Sequence, residues 1–138
     1  MSRIKSSISV LLLLFIFSFT SCSERKTTDA QEAYLNWAGS QPSSEITLIN
    51  GHYWESSHWS KEYILYLKFK PSKLWRSEFI KKNNLVVDET EWTMPMNSPS
   101  WFNPSEKSIR YSSRDNFGDS SYFFEVETGI FYIYEIQL

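Results

Sequence analysis

The chain has 138 residues, a formal net charge of −2, 17% aromatic residues, four Gly, two His and a single Cys. One Cys forbids an intramolecular disulfide, four Gly leave no phosphate-cradling loop, and the absence of a basic run argues against nucleic acid as a partner. The length suits one domain with a modest core and is too short for two.

The first thirty residues fall into zones. Arg3 and Lys5 form a positive start, residues 8–19 are apolar apart from Ser9 and Ser18, and small polar residues lead into Cys22. That order of charge, apolar run and small-residue site reads as a secretory signal. These twelve residues make about 18 Å of helix, whereas a span needs about 20 residues for a hydrocarbon core of about 30 Å.

Phe19-Thr20-Ser21-Cys22 resembles the lipobox of bacterial lipoproteins; Phe19 departs from the Leu usual there. The resemblance covers residues 1–22 alone. It implies a leader of residues 1–21, and a covalent diacylglycerol and N-acyl lipid (palmitate-type chains) on Cys22. It also implies attachment to the cell envelope membrane, with the domain in the periplasm or at the cell surface. By the same resemblance, Ser23 points to the outer membrane rather than the inner. Two or more acyl chains anchor stably where one does not. No other cofactor is expected.

Without residues 1–21, which include Arg3 and Lys5, 117 residues remain with a net charge of about −4, and 21 of them are Phe, Tyr or Trp. Residues 22–28 read as a lipidated polar tether and residues 29–138 as a single domain. A first helix is marked by a capping box of Asp29 and Glu32, by apolar Ala30, Ala33, Tyr34, Trp37 and Ala38, and by Gly39 as a stop. Asn50-Gly51, between β-prone runs at residues 46–49 and 52–54, predicts a tight hairpin. Residues 62–70 read as a strand by alternation. Ser72 then caps a second helix carrying Trp75 and Phe79, ended by Asn83 and Asn84.

Leu85 to Val87 makes a short strand, and Pro95, Pro99 and Pro104 keep residues 94–104 irregular. A strand over residues 107–112 precedes a turn-rich stretch around Asp115 and Asp119. Residues 121–127 and 130–137 form a hairpin about Thr128-Gly129. The expected fold is α+β: a twisted antiparallel sheet of about five to seven strands with two helices packed on it.

Candidate chemistry is sparse. His52, Glu55 and His58 carry metal-ligand types, yet on a strand the period of two sends Glu55 to the opposite face and holds the histidines about 20 Å apart. No metal site is expected. No Gly-x-Ser-x-Gly elbow is present, and the acids Glu55, Glu62, Asp88, Glu89, Glu91, Asp115 and Asp119 are scattered, so catalytic residues are not expected either.

Aromatics in loops stand out: Trp59 within residues 56–61, Trp101-Phe102 in the Pro-rich segment, and Phe117 in a Gly/Asp turn. Such rings either anchor partners or fold back to fill the core. The first reading is an envelope-anchored, non-enzymatic lipoprotein of the inhibitor, immunity or accessory-subunit kind. It would present Trp59, Trp101, Phe102 and Phe117 to an envelope or secreted protein partner. The alternative is glycan binding, with a Trp platform beside Asp115 or Asp119 as polar partner; an envelope hydrolase is third.

Overall fold

The computed structural model describes residues 23–115 and 119–138. Seven antiparallel strands form one sheet: β1 (Arg25–Thr27), β2 (Ile46–Glu55), β3 (Tyr63–Pro71), β4 (Leu85–Val87), β5 (Ile109–Ser113), β6 (Ser121–Phe124) and β7 (Phe131–Gln137). Their order is β1-β2-β3-β7-β6-β5-β4. Helix α1 (Ala30–Ala38) precedes β2, and α2 (Lys73–Lys82) links β3 to β4. The fold is α+β.

The central strands are covered on both faces. Leu65, Leu67, Phe69, Phe131 and Ile133 point to the helices, while Tyr66, Tyr132 and Tyr134 point away from them. Adjacent residues of one strand face opposite sides, so these strands have no solvated face and read as nearly continuous apolar runs. The second face is roofed by irregular chain from residues 88–108, whose Phe102 is 1% exposed.

Local chemistry sets the helix ends. The Asp29 carboxylate accepts from the Glu32 N–H at 2.8 Å, as a cap. Glu32 does not reach back to Asp29 as a capping box requires. It accepts from the Thr27 hydroxyl at 2.7 Å, and the same hydroxyl accepts from the Asp29 N–H at 3.1 Å. Gly39 ends α1 at φ 74, where L side chains are strained. Ser72 caps α2 by accepting from the Trp75 N–H.

Two further expectations are corrected. Asn50-Gly51 is no hairpin turn: it lies inside β2, just past a bulge between Leu48 and Asn50. The extra residue, Ile49, shifts the alternation so that Gly51 and Tyr53 face α1. A Cβ on Gly51 would stand 2.8 Å from the Ala30 Cα and 2.9 Å from the Ala33 Cβ, so Gly is there to let the helix approach. The β2–β3 turn falls instead at residues 56–62. Residues 25–27, expected in a tether, are edge strand β1, with Arg25 paired to Glu55 and Thr27 to Tyr53. The folded domain therefore begins before residue 29.

Candidate functional site

The loop aromatics do not converge. Phe102 packs against Tyr66 at 5.1 Å and Tyr132 at 5.5 Å between ring centroids, so it is a core plug and no surface contact. Trp101 lies half-buried against it. Trp59 is 99% exposed on the β2–β3 turn. Phe117 and Cys22 lie outside the described residues. A continuous patch of these rings is thus not assembled among the described residues.

A different site gathers on the roofed face. A groove of about 650 Å³ runs between residues 88–95 and strands β5 and β6, lined by Trp92, Tyr134, Asp88, Glu91, Asp119 and Arg110 together with several serines. Its rim is built by the chain leaving β4. The Asp88 carboxylate accepts from both the N–H and the hydroxyl of Thr90, at 2.9 and 2.6 Å, a local turn typical of Asp. Arg110 of β5 donates to Asp88 at 3.0 Å and to the Thr90 carbonyl at 2.5 Å. One guanidinium therefore ties the segment to the sheet.

Hydrogen bonds from Thr90, with the Arg110 charge adding to them, pull the Asp88 carboxyl down to about 2. Asp88 is thereby committed to the rim as a carboxylate. Trp92 packs on Phe123 at 4.8 Å, which fixes the ring while leaving it part of the groove wall. Burial, with the Asp119 charge behind it, raises the Tyr134 hydroxyl above its usual range; the phenol stays neutral and able to donate. Asp119 is exposed. The groove thus offers the Trp92 ring, the neutral Tyr134 phenol, the carboxylates of Asp88, Glu91 and Asp119, and hydroxyls.

Of the sequence candidates, Asp119 lines this groove, as do Asp88 and Glu91 of the scattered acids. Asp115 lies elsewhere, accepting from the Asn84 side chain at 2.8 Å beside a second, smaller hollow. Trp92, Tyr134 and Arg110 carry no such signal in the sequence. Asp88-Glu89-Thr90 carries the turn signal, but linking Trp92 to Tyr134 requires the strand order.

A second polar cluster lies under the helices. Glu135 of β7 accepts from the Trp37 indole at 3.2 Å, from the Tyr122 hydroxyl at 3.0 Å and from the Tyr63 hydroxyl. Burial first, then the Glu135 charge and hydrogen bond, drives both tyrosines well above their ordinary value. All three donors are neutral and matched to one carboxylate, so the cluster joins α1, β3, β6 and β7.

His52 faces Tyr66 at 6.2 Å between ring centroids, and His58 is exposed on the β2–β3 turn. Glu55 accepts from the Tyr53 hydroxyl at 2.8 Å. The three do not meet, and neither histidine lines the groove. Among the described residues no three metal-ligating side chains cluster, and no helix is long and apolar enough to cross a membrane. Compared with known family models, curated proteins and solved structures, the chain matches none.

Proposed function

We propose that this is an envelope-anchored, non-enzymatic binding lipoprotein that holds a saccharide in the groove between residues 88–95 and the β5–β6 edge. The observation that carries the reading is the shared groove of Trp92, Tyr134 and Asp119. Sugars present flat C–H faces to rings and hydroxyls to carboxylates, so specificity comes from a few polar groups on an apolar wall. The lipobox at Cys22 supplies the anchor in this reading.

A protein partner on a Trp101–Phe102 patch has less support, because Phe102 is buried. A hydrolase needs a general base poised near the working pH. Asp88 is held far below that range, and no histidine stands in the groove.

The test is calorimetric titration of the full lipoprotein with envelope oligosaccharides, including peptidoglycan fragments and lipopolysaccharide cores. At least one class binds, and Asp119→Asn weakens it about tenfold, or about 1.4 kcal/mol. Trp92→Phe, which keeps the contact with Phe123, weakens it less. Binding by neither class, or equal binding by both variants, overturns the saccharide assignment. For the anchor, Cys22→Ser abolishes palmitate labelling and releases the protein from membranes; a variant that stays membrane-bound defeats that part.

A further inference from the structure

The sheet gathers two features at one end. Strand β1 enters beside the end of β2, with Arg25 opposite Glu55. The β2–β3 turn, residues 56–62, follows directly and carries Trp59 at 99% exposure. Three peptide steps separate Arg25 from Cys22, which limits their Cα–Cα distance to about 11 Å. Paired strands lie about 5 Å apart. A lipid on Cys22 is therefore tethered within a short reach of the turn that displays the Trp.

The turn is shaped to hold that ring out. The Ser56 N–H donates to the Glu62 carbonyl at 2.9 Å and closes its base, and the Lys61 N–H donates to the His58 carbonyl at 3.3 Å. Lys61 has φ 40, a left-handed conformation uncommon for a long side chain. Among the described residues, Trp59 is in none of the close ring pairs, such as Tyr53 with Tyr63 or Trp92 with Phe123. A wholly exposed Trp gives up the area its ring buries elsewhere.

We infer that this end of the sheet faces the lipid bilayer, and that Trp59 seats in the interfacial layer beside the Cys22 lipid as a second anchor that orients the domain. Trp is enriched at that depth because its ring is apolar and its indole N–H polar. The charge around the site is balanced, with Arg25, Lys26 and Lys61 against Glu24, Glu55 and Glu62. Seating therefore depends on the ring more than on anionic lipid, and it changes little with salt. With the short tether taken into β1, the domain rides close to the surface.

The inference rests on the lipid-anchor reading, and the experiment separates the two. The full lipidated protein is reconstituted in zwitterionic phosphatidylcholine vesicles whose acyl chains are brominated near the headgroup. Its Trp emission is then compared with that of Trp59→Phe. The wild type is quenched and the variant loses most of that quenching, while both float with the vesicles. Equal quenching in two lipidated, floating proteins overturns the orientation alone. Mass spectrometry showing no lipid on Cys22 overturns the anchor and this inference with it. A Trp59 open to aqueous quencher on vesicles, and shielded only when envelope extract is added, assigns the ring to a protein partner instead.

Discussion

Gly51 is a single hydrogen atom's worth of space on which the seat of α1 depends. Gly51→Ala drives a methyl against backbone at 2.8 Å, which the Ala30 Cα cannot evade as a flexible side chain would. Such overpacking costs about 1–3 kcal/mol, and urea denaturation of the variant shows a midpoint lowered accordingly. Glu135 is the opposite case, an acceptor that three donors need. Glu135→Ala strands Trp37, Tyr63 and Tyr122 and costs several times more than the roughly 1 kcal/mol of an average bond. Glu135→Gln retains an acceptor and loses less.

Residue chemistry also sets the pH limits. Tyr66 and Tyr132 are raised by burial to about 12, so the folded state keeps protons that the unfolded chain releases near 10. Their contribution is intact below pH 10 and disappears as pH rises toward 12. At the acid end Asp88, lowered to about 2, contributes above its unfolded value near 4 and loses that contribution as pH falls through 2. Tyrosinate absorbance followed together with circular dichroism checks the alkaline limb. Ionisation of Tyr66 and Tyr132 at pH 10 with the fold intact contradicts it.

Among elements, the irregular segment of residues 88–108 acts as a third layer. Phe102 locks it down, and Phe102→Ala costs about 3–5 kcal/mol. Because this segment also builds the groove rim, an oligosaccharide titration of any folded Phe102→Ala protein gives weaker binding. Arg110→Ala frees Asp88 and Thr90 and loosens the rim with a smaller effect on stability. Equal affinity in both variants contradicts the rim's part in binding.

Much of the element pattern was legible. Both helices, their Asp29 and Ser72 caps, the alternation in β3 and the Thr128-Gly129 turn follow from short-range rules. Asn50-Gly51 misled because the dipeptide that tolerates a tight turn also tolerates a bulge and a close helix, and tertiary packing decides between them. Residues 25–27 read as tether because an edge strand of three residues has almost no apolar signature. The groove was largely illegible: Asp119 is visible as a loop acid, but Trp92, Arg110 and Tyr134 meet only through the pairing of β5, β6 and β7.

At the scale of the molecule, two meanders share one seam. Strands β1-β2-β3 form one, β4-β5-β6-β7 the other, and they join where β3 pairs with β7 over seven registered positions, from Tyr63 opposite Gln137 to Phe69 opposite Phe131. Rings from both halves interlock across it, as with Phe69 against Phe131 at 5.6 Å. Differential scanning calorimetry gives one cooperative transition; two separable ones would show that the seam does not couple the halves.

The seam has a bearing on timing. The strand that closes it, β7, follows the other six in sequence, so β3 and β6 gain that neighbour only after the rest of the sheet has been made. Until then Leu65, Leu67 and Phe69 have no strand on their outer flank, and the two meanders are not joined. If the chain is exported as an extended thread by the proposed route, a sheet that its latest strand completes stays open to threading until that strand is made. Moving residues 131–138 to the front of the mature chain would let the sheet close early, and would slow export of a protein whose finished fold is unchanged.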